Sequence, residues 1–104
     1  RVFVAGATGV LGSRLVRELT ERGHGVVGLS RDDRGDEVVE SGGGEPHRGD
    51  LFDRESLVAG AAGADVVVQA ATAIPTGSGD KTWELNDRVR REGVENLTAA
   101  AVAV

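Results

Sequence analysis

The run Arg1-Val-Phe-Val-Ala-Gly6-Ala-Thr8-Gly9-Val10-Leu11-Gly12 decides how the rest of the chain is read. Val2, Phe3 and Val4 form a short apolar stretch, three glycines interrupt it, and Leu11, Leu15 and Leu19 then recur every four residues up to Gly23. That order spells strand, tight turn and helix, with an amphipathic helix over Ser13 to Arg22 and the three leucines along one face. A turn of this kind leaves the first N–H groups of the helix without acceptors and aimed outward, where the helix dipole adds to their pull on a pyrophosphate. Glycine serves twice here. The turn needs backbone angles that a β-carbon forbids, and both the phosphate and the neighbouring strand approach the main chain closely. Gly6-x-x-Gly9-x-x-Gly12 departs from the strict G-x-G-x-x-G spacing, and with 16 glycines in 104 residues the spacing alone says little. Its place between a strand and a helix carries the reading, against the competing one of a turn that binds nothing.

Working outward, Gly25 to Ser30 reads as a second strand through Val26, Val27 and Leu29, which completes a β-α-β unit with a parallel pair. Arg31-Asp-Asp-Arg34 follows at the point where a dinucleotide fold selects its cofactor. An acidic residue there hydrogen-bonds the ribose 2′-hydroxyl of NAD, whereas an arginine accommodates the 2′-phosphate of NADP. Arg31 comes first after the strand and favours NADP; Asp32 and Asp33 behind it leave open a plain solvated turn.

The rest of the chain is less even. Asp36 to Gly44 reads as a short, weak helix or an irregular connection, since Val38 and Val39 are its only large apolar residues. Glu45 to Gly49 contains Pro46 and almost nothing apolar, so it reads as an edge strand or as barely a strand. Asp53 is placed to cap a helix with Leu57, Ala61 and Val58 turned inward. Asp65-Val-Val-Val-Gln-Ala70-Ala71 is the clearest strand after the first, and its three consecutive valines suit a strand covered on both faces. Residues 72–81 read as a loop, and Trp83, Leu85, Val89 and Gly93, then Val94, Leu97 and Ala101, keep helical spacing to the end.

Composition narrows the function. The chain has no cysteine, so it offers neither a disulfide nor a thiolate, and its two histidines, His24 and His47, stand far apart and read as surface residues. A net charge of −5 and a pI near 4.9 argue against a nucleic-acid partner. No apolar run reaches the length of a membrane span, and the first strand is too short for a signal segment, which points to the cytoplasm. Nothing in the residues supports a metal site.

Taken together, these motifs resemble the extended short-chain dehydrogenase/reductase family, the NAD(P)-dependent epimerases, dehydratases and their relatives. Gly6-Ala-Thr8-Gly9-Val10-Leu11-Gly12 is similar to that family's glycine loop, and Gly49-Asp50-Leu51 to its G-D-[LV] step beside the adenine. Val66-Val-Val-Gln69-Ala70-Ala71 resembles the strand-four segment whose alanines line the nicotinamide ribose, with Gln69 near the usual histidine. Arg91-Glu-Gly93-Val-Glu-Asn96-Leu97 resembles the later G-T-x-N-L helix, but Arg90 falls where that pattern has an asparagine.

The resemblance implies an α/β fold of Rossmann type, strand order 3-2-1-4 with helices on both faces, and only its N-terminal half. It implies a cofactor site in which Gly6, Thr8, Gly9, Val10, Leu11 and Gly12 hold the pyrophosphate. Arg31 would hold the 2′-phosphate, Asp50 and Leu51 the adenine, and Ala70 and Ala71 the ribose. The family's Tyr-x-x-x-Lys acid/base pair has no counterpart, because the chain contains no tyrosine, and it is expected beyond Val104. The parent is then an oxidoreductase, epimerase or dehydratase acting on a nucleotide-sugar or another small carbonyl or alcohol. A non-catalytic NADP(H)-binding sensor or structural module is the second reading, and an unrelated mononucleotide-binding α/β domain a third. A half sheet ending on strand four would leave an open edge and favour self-association.

Overall fold

The computed structural model describes residues 1–71, 84 and 87–103. The expected loop at 72–81, and Trp83, Leu85 and Asn86, lie outside the described residues. Four strands, β1 (Val2–Ala5), β2 (Val26–Ser30), β3 (Glu45–Arg48) and β4 (Val66–Gln69), alternate with helices α1 (Val10–Glu21), α2 (Asp33–Ser41) and α3 (Arg54–Ala61). A π-helical turn, Val89–Gly93, runs into the last helix, α4 (Val94–Ala103). All strand pairs are parallel and the order is β3-β2-β1-β4, a Rossmann-like sheet.

Strand alternation builds two cores. Val2, Val4 and Val26 turn to one face and meet Val16 of α1 and Val39 of α2. Phe3, Ala5, Val27 and Leu29 turn to the other and meet Leu57 and Ala61 of α3, Val89 of the π turn, and Leu97 and Ala100 of α4. Consecutive parallel strands joined by right-handed crossovers place the connecting helix on one face while the order runs outward from β1 to β3. The return to β4, on the far side of β1, puts α3 on the opposite face. The ends of β1 and β4 therefore flank the point where the strand order reverses, and in open α/β sheets that is where ligands sit.

Several expectations need correcting. Helix α1 starts at Val10, not Ser13, and its buried residues are Gly12 and Val16. Leu15 and Leu19 are half-buried, but Leu11 is 71% exposed, so the leucine stripe is not one buried face. Gly12 has to face inward because it rests on the turn itself, and this rotates Leu11 into the open. The weak segment at Asp36 to Gly44 belongs to a proper helix, α2, capped by Asp32, whose carboxylate accepts the Gly35 N–H at 2.8 Å. Its only buried residues are Gly35 and Val39, so an apolar count underrates it. Asp53 does stand at the N-cap of α3, but its side chain makes no capping hydrogen bond. Valines of β4 are covered on both faces only in part: Val67 packs against the core that holds Leu57 and Val68 against the one that holds Val16, both half-buried, while Val66 is 52% exposed, because β4 ends the sheet among the described residues. His47 is not a surface residue either. It is half-buried on β3, edge-on to Phe3 with ring centroids 6.3 Å apart, and its Nε2 lies 2.9 Å from the Ser56 carbonyl oxygen. Residues Glu45 to Arg48 form the expected edge strand, with Pro46 beside Gly28.

Candidate functional site

Three glycines of the first turn have different jobs. Gly6 has φ +80°, a left-handed conformation that an L side chain resists, and its α-hydrogen side is pressed against the backbone nitrogen of Ala71 at the end of β4. Gly12 sits on the carbonyl of Gly6, leaving no volume for a β-carbon. Gly9 is different. A β-carbon there would meet nothing closer than the Gly6 carbonyl oxygen at 3.6 Å, an ordinary contact, so the fold itself does not ask for glycine at this position. The Gly9 N–H donates to the Gly6 carbonyl oxygen (3.2 Å), and Gly9 is the N-cap of α1 without a side-chain cap. The N–H groups of the first helical turn are thus available to an anion. Thr8, Val10 and Leu11 are exposed around this open end, Val10 by 86%.

The second strand ends in a tight polar arrangement. Ser30 is 1% exposed, and its hydroxyl donates to the Asp32 carbonyl at 2.9 Å. Gly35 packs against the Ser30 hydroxyl and lies close to the Thr8 methyl, so the glycine turn and the end of β2 meet at α2. Both acidic side chains that follow Arg31 are committed elsewhere. Asp32 caps α2, and Asp33 is held by the Arg48 guanidinium. Arg48 also donates from Nε to both oxygens of Asp36, 3.2 Å each, and from Nη2 to one of them at 3.1 Å. Hydrogen bonding to Arg48 holds the Asp36 carboxyl below its ordinary value. Arg31 is exposed and forms no ion pair among the described residues.

At the end of β3, Asp50 is exposed and its Oδ1 accepts the Phe52 N–H at 2.8 Å, closing a small turn. Leu51 is 8% exposed and packs on Gly93 of the π turn, so its side chain belongs to the core and its backbone is what it can offer a ligand. Asn96 holds this corner: its Nδ2 donates to the Leu51 carbonyl at 3.0 Å, and its Oδ1 accepts from Arg54 Nη2 at 3.1 Å. At the end of β4 the Ala70 N–H donates to the Ala5 carbonyl (2.9 Å), and the Ala71 N–H donates to Gln69 Oε1 (2.9 Å).

The fold therefore brings Gly6, Gly9, Gly12, Ala70 and Ala71 to one place, the ends of β1 and β4. Thr8 and Arg31 stand toward β2, with Asp50 and Leu51 at the end of β3. Beside Ala71 opens a cleft of about 600 Å³ lined by Gln69, Ala71, Asp87, Arg90, Arg91 and Val94. Of this lining only Ala71 is nominated for the site by its sequence motif, and Arg48 by none. A signal for Arg48 was present: Asp33 and Asp36 are three residues apart on a helix and must share a face.

Comparison with known proteins places this geometry. Residues 2–103 match the NAD dependent epimerase/dehydratase family. The chain is 36% identical over 101 residues to a 4-hydroxy-2-methyl-3-oxo-4-farnesyl-3,4-dihydroquinoline-1-oxide ketoreductase of Stigmatella aurantiaca, covering 97% of this chain and 29% of that protein. Its structure resembles that of gox2253, with a TM-score of 0.79 at 30% identity, covering 98% of this chain and 30% of the other. It also resembles UDP-glucose-4-epimerase of Stenotrophomonas maltophila, solved with bound NAD and formylated UDP-arabinopyranose. There the TM-score is 0.75 at 27% identity, over 96% of this chain and 32% of that one. The chain spans between about 24% and 34% of the length of the curated relatives it matches. Among the described residues no helix is long and apolar enough to cross a membrane. With a family match over nearly every residue and the family's glycine turn set against the end of β4, this chain belongs to the NAD-dependent epimerase/dehydratase family.

Proposed function

We propose that residues 1–104 form the dinucleotide-binding part of a larger NAD(P)-dependent oxidoreductase, epimerase or dehydratase, and that NADP is the preferred cofactor. The observation that carries this reading is the contrast within the glycine turn. Gly6 and Gly12 are required by the protein's own backbone, while Gly9 faces open space at an uncapped helix N-terminus. A glycine the fold does not need, at a spot where N–H groups point outward, fits a phosphate that must come close.

The pyrophosphate would lie on Gly9 and the first turn of α1, between Thr8, Val10 and Leu11. Arg31 would pair with the 2′-phosphate; Asp32 caps α2 and Asp33 pairs with Arg48, and among the described residues Arg31, like Arg34, is in no ion pair. Asp50 and the Leu51 backbone would border the adenine, and Ala70 and Ala71 the ribose next to the nicotinamide. When bound, the nicotinamide takes up or returns a hydride at the substrate carbon. This chain's residues bind and orient it, while a nucleotide-sugar or another small carbonyl or alcohol is the substrate class. That a relative is a ketoreductase and a structural neighbour an epimerase holding NAD supports the dinucleotide-binding part of this reading.

The test is titration of the full-length protein with NADPH and NADH by cofactor fluorescence, with Arg31→Asp alongside. NADPH is expected to bind about tenfold tighter or better, and Arg31→Asp to reverse the order. Equal affinities that the substitution does not change overturn the Arg31 assignment. Binding of neither cofactor overturns the reading as a whole. Cofactor binding without any turnover of carbonyl or alcohol substrates would move the protein to a sensor or structural role.

A further inference from the structure

The cleft beside Ala71 carries more than a nicotinamide needs. Its helical wall is Asp87, Arg90, Arg91 and Val94, residues three and four apart that share one face across the π turn. The adjoining stripe, Val89, Gly93, Leu97 and Ala100, is buried against the sheet and against Leu51. This division fixes the orientation of the turn: it cannot rotate to take Arg90 and Arg91 out of the cleft without lifting Val89 and Leu97 from the core. Turns of π type insert an extra residue into a helix and recur at functional sites, because they re-aim side chains.

Among the described residues, charge in this cleft is compensated only in part. Arg88, on the same turn, is already occupied: its guanidinium lies 4.2 Å from the Phe52 ring centroid and donates to Glu92 at 3.1 Å. Arg90 and Arg91 have no ion pair among the described residues, and Asp87 offsets only one of them. Gln69 lines the same cleft. Its Oε1 is taken by the Ala71 N–H, while its Nε2 is buried without an acceptor among the described residues, a position that costs free energy until an acceptor arrives. Among the described residues, two guanidinium groups against one carboxylate, with an amide N–H that has no acceptor there, make this cleft a local exception in a chain whose net charge is −5, and one that suits an anion.

We propose that Arg90 and Arg91, with Gln69 Nε2, form an anion subsite, and that the substrate brought to the end of β4 carries a carboxylate or a phosphate. This rests on the cofactor reading above for its meaning, since the subsite adjoins the alanines assigned to the ribose; the binding of an anion does not rest on it. Planar guanidinium groups pair with either kind of oxyanion in a two-pronged fashion. The same chemistry could serve a phosphate of the cofactor, and the two sources are separable.

Calorimetric titration of the full-length protein at low ionic strength, with malonate and inorganic phosphate as probes, is run with and without NADPH. Wild type is expected to bind at least one probe, equally well when NADPH is present. Arg90→Gln/Arg91→Gln is expected to weaken the probe about tenfold or more while NADPH affinity changes less than twofold. Arg90→Lys/Arg91→Lys, which keeps the charge, is expected to recover part of the loss. The melting temperature of each variant is a control, and both side chains are exposed enough for it to stay put. Failure of both probes to bind, or equal binding by the Gln variant, overturns the subsite. A parallel loss of NADPH, or competition between NADPH and the probe, assigns the arginines to the cofactor and overturns the substrate assignment. If NADPH does not bind but the probes bind through the arginines, the cofactor reading falls and the anion subsite stands.

Discussion

Gly12 rests directly on the carbonyl of Gly6, and no β-carbon fits between them. Gly12→Ala is therefore expected to force the turn apart, costing about 1–3 kcal/mol or preventing folding. Gly9→Ala meets only a 3.6 Å contact and is expected to leave the melting temperature nearly unchanged while NADPH affinity falls about tenfold or more. Thermal melts and NADPH titrations on the two variants check this together. If Gly9→Ala melts as early as Gly12→Ala, the division of labour within the turn is wrong.

Gly60 is expected to resist the usual rule that alanine improves a helix. The helix preference is worth about 1 kcal/mol in alanine's favour. A β-carbon at Gly60, however, would stand 2.7 Å from His47 Cδ2 and 2.8 Å from Phe3 Cε1, and Phe3 is a wholly buried ring with no room to yield. Overpacking of that kind costs about 1–3 kcal/mol, so Gly60→Ala should be net destabilising. Denaturant unfolding decides it, and a gain in midpoint would contradict the packing described for α3.

Leu57 is 0% exposed between α3 and the sheet, and Leu57→Ala should cost about 2–5 kcal/mol. Val94→Ala, at a residue 44% exposed in the cleft wall, should cost far less. Comparable losses in urea melts would place the core elsewhere.

Asp36 links stability to pH through Arg48. Its folded pKa lies below the ordinary 3.8, so its contribution is whole above the unfolded value and disappears as pH falls through the folded one. Replacing Arg48 by glutamine should lower the melting temperature at pH 6, and the gap to wild type should close in acid, as pH falls below 3.8 and through the lowered folded value. Arg48 is exposed and Asp36 only half-buried, so water screens the pair and the gap is small. A gap that persists unchanged into acid would mean that Arg48 acts through packing alone.

How far the sequence could be read follows from what each segment buries. The first turn was legible because its steric demands require glycine, and glycine is visible in a sequence. The edge character of β3 was legible from Pro46, which has no N–H to give a second neighbour. Helix α2 was hard to see because it packs through Gly35 and Val39, and a glycine contact leaves no apolar signal. Leu11 misled because helical spacing gives a face without saying which way the backbone of the turn will point it. In the candidate site, single residues could be nominated from their strand ends, but the commitment of Asp33 and Asp36 to Arg48 joins residues 12 or more apart and depends on the sheet being formed.

The two cores differ in how much of the chain they need. Among the described residues, every buried member of the one beneath α1 and α2, from Val2 to Val39, lies in the first two fifths of the sequence, whereas the other waits for Leu97 and Ala100. On a ribosome the first layer has all its buried side chains long before the second is synthesised, so the chain is built to compact from its glycine turn outward. Pulse-labelled amide exchange during refolding should then protect Val4 and Val16 before Leu97, and the reverse order would refute it.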